Sequence, residues 1–171
     1  TEAAADLEES THGMLATRGR REAPNCLDCH SGHQIESLKG ASPLRISQEI
    51  CGKCHASERV NTRFKLPLRQ VDTFFESYHG LAAQGGSTKA ANCASCHGSH
   101  RIFPSTDLRS TVHKESLVKT CGQCHPGITT NFASGKVHID DSSDDEIGLI
   151  VNRWVRRLYL ALIIGTVGLL S

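Results

Sequence analysis

Cysteine spacing constrains this chain more than any other feature. All eight cysteines fall into four copies of one pentapeptide: Cys26-Leu-Asp-Cys29-His30, Cys51-Gly-Lys-Cys54-His55, Cys93-Ala-Ser-Cys96-His97 and Cys121-Gly-Gln-Cys124-His125. None is left over. A disulfide framework gives no reason for a histidine after every second cysteine. Zinc would use the Cys-x-x-Cys pairs but leave four regularly placed histidines idle. A thioredoxin-like redox pair needs one such motif on a βαβ unit, not four on a turn-rich chain.

Cys-x-x-Cys-His is the attachment pattern of c-type haem. Two thiols one helical turn apart form thioethers with the two vinyl groups of one porphyrin, and the following histidine is held beneath the iron as proximal ligand. Four covalent haems are therefore expected, on Cys26, Cys29, Cys51, Cys54, Cys93, Cys96, Cys121 and Cys124, with His30, His55, His97 and His125 on the irons. Composition agrees. Apolar residues make up 38% of the chain and aromatics 5%, a thin supply for a conventional core. Flat, apolar macrocycles would replace side chains as the interior. The expected fold is mostly α and irregular, a small polypeptide wrapped around its cofactors. A formal charge of +1 sets up no field toward nucleic acid, which is excluded as a partner.

The chain also repeats itself. Glu9-Ser10-Thr11-His12-Gly13 matches Glu76-Ser77-Tyr78-His79-Gly80 at an offset of 67 (76 − 9). The same offset carries Asn25-Cys26 onto Asn92-Cys93, His30 onto His97 and His33 onto His100. Near the end, Phe132-Ala-Ser134-Gly-Lys-Val-His138 loosely echoes Phe75-Glu-Ser77-Tyr-His79, like the start of a third unit. The expected organisation is a first dihaem module over 1–68, a second over 69–139, a linker with an interfacial helix over 140–157, and the start of a transmembrane helix over 158–171. Helices are predicted over 3–16 and 70–84, carrying His12 and His79. Ser42-Pro43 reads as the start of a helix into Cys51, and 56–72 as a basic connector containing Pro67. No strand is signalled.

Six histidines remain after the four proximal ones: His12, His33, His79, His100, His113 and His138. Four irons need at most four of them. Methionine is nearly absent, with only Met14. Two histidines per iron give a lower potential than a His/Met pair, so low-potential, six-coordinate haems are expected. The repeat singles out His12 and His79 as distal ligands. His33 and His100 follow a proximal histidine by three residues, cannot reach the far side of their own haem, and are expected to reach a neighbouring iron. His138 carries the loose third match. His113 aligns with Pro43 and has no counterpart in the first half.

The C-terminal segment from Leu158 is apolar on every face, although its thirteen residues (158–170) fall short of the roughly 20 that span a bilayer. The expectation is a transmembrane helix of which the outer half is present. Ser143 with Glu146 reads as a capping box. Ile147, Ile150, Val151, Trp154 and Val155 then form an apolar stripe at helical spacing. Trp154 and Tyr159 suit interfacial depth, and Arg153, Arg156 and Arg157 share one face. The acidic run Asp140-Asp141-Ser-Ser-Asp144-Asp145-Glu146 reads as a solvated linker. Haem is attached to c-type proteins outside the cytoplasm, so the haem domain is expected on the periplasmic or extracytoplasmic side of an inner membrane.

Three features together resemble the multihaem c-type cytochromes of the doubled Cys-x-x-Cys-His type. They are the Ser-x-His-Gly ahead of each pair (Ser10 to Gly13; Ser77 to Gly80), the Cys-His-x-x-His of each first motif, and Thr-Cys-Gly-x-Cys-His at Thr120 to His125. The resemblance spans residues 9–138. It implies an electron carrier between a membrane redox partner, quinol-oxidising or of the cytochrome b type, and a soluble extracytoplasmic donor or acceptor. It is functionally similar to the membrane quinol dehydrogenases, from which it departs in the C-terminal position of its apolar segment. The alternative is a multihaem reductase with one open haem acting on nitrite, hydroxylamine or a sulfur oxyanion. No feature sets one motif apart for that role, and the surplus of histidine opposes it.

Overall fold

A computed structural model describes residues 1–33, 37–139 and 146–170. Among the described residues there are helices and turns and no strand. Helices α1 (Glu2–Glu9) and α2 (Thr11–Thr17) precede the first motif, itself a one-turn helix, α3 (Cys26–His30). A π-helical segment, π1 (Arg45–Cys51), runs into α4 (Gly52–His55) at the second motif, and α5 (Glu58–Phe64) follows. The second half repeats the order with α6 (Gln70–Glu76), α7 (Tyr78–Gln84), α8 (Cys93–His97) and α9 (Leu117–Gly122), then a short α10 (Thr130–Ala133). The last helix is α11 (Glu146–Leu170). The chain divides into two compact units, Thr1–His138 and Ile139–Ser171.

The helices predicted over 3–16 and 70–84 are each broken in two by a serine. Ser10 is extended (φ −72°, ψ 166°), and its hydroxyl serves both sides of the break. It donates to the Leu7 carbonyl at 2.6 Å and accepts the Gly13 N–H at 3.2 Å. Ser77 (φ −76°, ψ 163°) does the same, donating to the Phe74 carbonyl at 2.6 Å and accepting from Gly80 at 3.3 Å. One side chain thus closes the C-terminal end of one helix and caps the N-terminus of the next. The glycine of each Ser-x-His-Gly lies where the two helices touch. A Cβ on Gly13 would press on the Leu7 carbonyl oxygen and stand 2.7 Å from the Glu8 Cα; one on Gly80 would press on the Phe74 oxygen and stand 2.5 Å from the Phe75 Cα. The corner fixes the first turn of α2 and α7, and with it His12 and His79.

The first motif of each half is also locally encoded. Asn25 accepts from the Leu27 N–H at 2.8 Å while Asp28 accepts the Asn25 N–H at 2.8 Å. Asn92 and Ser95 form the same reciprocal cap, at 3.0 and 3.2 Å. These caps let a five-residue helix hold two thiols and a histidine on one turn. The second motifs instead sit at the end of longer helices. Ser42 caps the first of these by accepting the Arg45 N–H at 3.2 Å, and the helix widens into π1 before Cys51. The stretch 56–72, expected as a connector, contains α5, which stops at Lys65 in the left-handed region (φ 54°).

The two expected halves lie in one compact unit. The α2 amide of Thr11 donates to the Ile102 carbonyl at 2.9 Å, Arg101 pairs with Glu9 at 3.0 Å, and the Cys93 N–H donates to the buried Ser47 hydroxyl at 3.3 Å. Only Ile46, Phe74, Ala83, Phe103 and Ala133 are buried apolar side chains among the described residues. Leu27, Leu81, Leu108 and Phe132 are exposed. So few buried side chains leave the ordering entropy of such a chain uncompensated.

The expected transmembrane helix over 158–171, preceded by an interfacial helix, is corrected by the structure. α11 is one continuous helix of 25 residues, and among the described residues no helix is long and apolar enough to cross a membrane. The reason lies in the charges. Arg153, Arg156 and Arg157 belong to the same helix, and the apolar run beyond them rises only about 20 Å against a hydrocarbon core about 30 Å thick. Ile150, Val151, Trp154 and Val155 are exposed, with the Arg157 guanidinium 6.0 Å from the Trp154 ring. Ser143 and the acidic run up to Asp145 lie outside the described residues.

The serine corner is directly testable. Gly80→Ala should lower the thermal midpoint by about 5 °C, the scale of a one- to two-methyl overpacking in a chain of this size. Gly85→Ala, where a Cβ would meet nothing closer than 3.4 Å, should leave it unchanged. Equal midpoints by circular dichroism would remove the steric account.

Candidate functional site

The histidines are arranged in pairs, and each pair joins one motif histidine to one from elsewhere. His12 faces His55 with ring centres 6.1 Å apart, His79 faces His125 at 6.1 Å, His97 faces His138 at 6.4 Å, and His30 faces His100 at 6.0 Å. All four motif histidines are therefore partnered. Three pairs are tilted by 45–48°. The fourth has nearly parallel rings, at 19°, too far apart for a face-to-face stack.

That separation has a chemical meaning. An imidazole nitrogen sits about 2 Å from a transition metal, so two imidazoles on opposite sides of one iron have ring centres about 6 Å apart. Each pair offers two donors. No group of three or more His, Cys, Asp or Glu among the described residues is placed to hold a bare metal ion. Two facing imidazoles instead suit a metal whose remaining positions come from a porphyrin. The residues fit that group in a second way, because the polypeptide interior is thin and apolar side chains border the pairs. Phe132 lies 5.2 Å from the His125 ring, centre to centre, and Leu27 lies within the first motif.

Burial lowers the proton affinity of five of these rings. Burial, then the neighbouring His55, lowers the proton affinity of His12. Burial alone does so for His55, and burial with His125 does so for His79. His97 is lowered by burial, His138 and His55 together. Burial also lowers His138, against a hydrogen bond from its ring to the Gln70 backbone carbonyl that raises it. A neutral imidazole keeps the lone pair a metal needs. The tautomer of His138 follows from its neighbour. Thr73 donates its hydroxyl proton to the Arg69 carbonyl at 2.8 Å, so the 3.1 Å contact with His138 Nδ1 is an N–H donated to the Thr73 oxygen. Nε2 is then left bare.

Asn61, absent from the sequence-derived set, positions another ring. It is 1% exposed, and its Nδ2 donates to the His55 carbonyl at 2.8 Å. Nothing in the sequence marks it, since it is one polar residue in an expected connector. In the second half, Thr111 donates to the Cys96 carbonyl at 2.5 Å and Thr120 to the Thr111 carbonyl at 2.6 Å. These bonds tie the helix leading to the fourth motif onto the third.

The motifs adjoin in turn: α3 and α8 both pack on π1, and Thr111 and Thr120 tie the fourth motif to the third. The Cys51 thiol is pushed up by its neighbour Cys93 and by burial, while Cys93 is drawn down by Cys51. Of the remaining candidates, His113 is buried, with Nδ1 accepting the Glu115 N–H at 3.3 Å. His33 is exposed. Neither stands in a pair. Comparison with protein-family models, with curated proteins and with solved structures found no match.

The pairing makes a graded prediction. Alanine at His12, His79, His100 or His138 should each convert one low-spin iron to high-spin in the oxidised, haem-loaded protein. His113→Ala should convert none. Electron paramagnetic resonance counts the converted irons, and a spectrum unchanged by His100→Ala would break the pair with His30.

Proposed function

We propose that this chain is a tetrahaem c-type cytochrome that carries electrons, on the extracytoplasmic side, between a quinol-oxidising or cytochrome b-type membrane partner and a soluble donor or acceptor. The observation that carries the reading is the pairing of every motif histidine with a second imidazole at the separation one iron requires. Bound haem supplies reversible one-electron exchange between ferric and ferrous iron, and two histidine ligands favour a low potential. The chain contributes everything else. Its cysteines would fix each macrocycle, its imidazoles would hold both faces, and burial lowers the proton affinity of His12, His55, His79, His97 and His138.

The contacts between successive motifs support a linear arrangement. The first motif adjoins the second, the second the third, and the third the fourth, so the attachment sites follow one another in space as they do in sequence. A carrier needs closely spaced cofactors and no substrate pocket. A reductase needs an iron with an open position beside acid and base groups, and each motif histidine here already faces a second ring.

Three measurements test the reading. The intact mass should exceed that of the polypeptide by four haems. The oxidised protein should show low-spin ferric signals alone, and the reduced protein should not bind carbon monoxide. Colourless protein would end the proposal, and a stoichiometric high-spin signal would turn it toward a reductase. With serine at all eight motif cysteines, far-ultraviolet circular dichroism should lose its helical signal, because the five buried apolar side chains do not form a core by themselves.

A further inference from the structure

Eight of the ten histidines stand in the four pairs, and His113 is buried with its Nδ1 occupied. His33 is the remaining one, and among the described residues it is the one histidine that is exposed. It is also the repeat equivalent of His100, three residues beyond a motif histidine whose capping box has the same form in both halves. The backbone turns the same way after each motif, through Ser31 (φ 59°, ψ 153°) and Gly98 (φ 80°, ψ 173°). The shared turn places His33 at the register that His100 holds in the second half.

The partner of His100 defines what His33 is for. His100 does not serve its own half; it faces His30, in the half that precedes it. Two contacts place it there, the Thr11 N–H to the Ile102 carbonyl and the Arg101–Glu9 ion pair. We propose that His33 is the axial ligand for a c-type haem outside these four, carried by another dihaem unit that packs against the first half as the first half packs against the second. The partner is a unit of the same build whose first-motif iron lacks its second imidazole. An unmodified copy of this chain does not qualify, because His138 already faces its His97. Ligation exchanges a water on the receiving iron for the His33 nitrogen, and no electron moves. The inference rests on the tetrahaem reading.

The chain can be made to imitate the missing partner. Removing His138 leaves the His97 iron of the second half with one protein ligand, the vacancy a preceding unit would present. The oxidised His138→Ala protein should show one high-spin iron when dilute. That signal should fade with concentration as His33 of one molecule ligates the iron of the next, and sedimentation should show matching head-to-tail association. The double variant His33→Ala/His138→Ala should stay monomeric and high-spin. As a second measurement, native protein should turn the haem undecapeptide cut from a soluble cytochrome c, whose iron has one open position, from high-spin to low-spin. His33→Ala should lose this ability, and adding Lys89→His to it should not restore it.

Signal loss that persists in the double variant, or restoration by Lys89→His, would overturn the proposal. So would a new high-spin iron in the His33→Ala single variant, since His33 would then serve one of the four. Failure of the tetrahaem reading shows itself separately, as native protein with missing haem mass or a high-spin iron before any variant or peptide is used.

Discussion

The pairing of each motif histidine with a second imidazole, ring centres 6.0–6.4 Å apart, is the constraint on which this molecule is built. It recurs four times. The rest of the architecture follows from that demand. Helices α2, α3, α7 and α8 are short, each delivering a histidine or a pair of thiols and then stopping. The stopping devices are local: asparagine caps at Cys26 and Cys93, serine corners at Ser10 and Ser77, a left-handed residue at Lys65.

The repeat is faithful where a half serves itself and inventive where halves meet. In both halves the histidine of Ser-x-His-Gly faces the second motif, His12 to His55 and His79 to His125. The first motifs are completed differently. His30 takes its partner from the following half, whereas His97 takes His138, on a segment with only a loose resemblance to the corner. Thr73, at the heart of α6, orients that ring. The second half is thus completed by a histidine outside the serine corner, fixed through the buried Thr73 hydroxyl.

The one-turn helices of the first and third motifs were the most legible part of the sequence, since thiol and imidazole spacing within five residues is decided by one helical turn. The helical segments around His12 and His79 were legible too, but not their breaks, because a serine in a helical pattern does not announce that its hydroxyl will cap both ways. The connector at 56–72 read as irregular although its tertiary role, seating Asn61 under the His55 carbonyl, makes it helical. Which motif histidine each surplus histidine faces depends on packing between segments far apart in sequence, and spacing carries no information about that. The C-terminal run was misjudged by weighing the apolar residues after Leu158 apart from the three arginines that share their helix.

On the proposed tetrahaem reading, the crossed pairing of His30 with His100 would impose a schedule on assembly. A chain is delivered amino end first, so Cys26 and Cys29 would be available for attachment well before His100. The opposite would hold at His55, whose companion His12 precedes it. The second motif would then be completed ahead of the first, and assembly would finish at its oldest end.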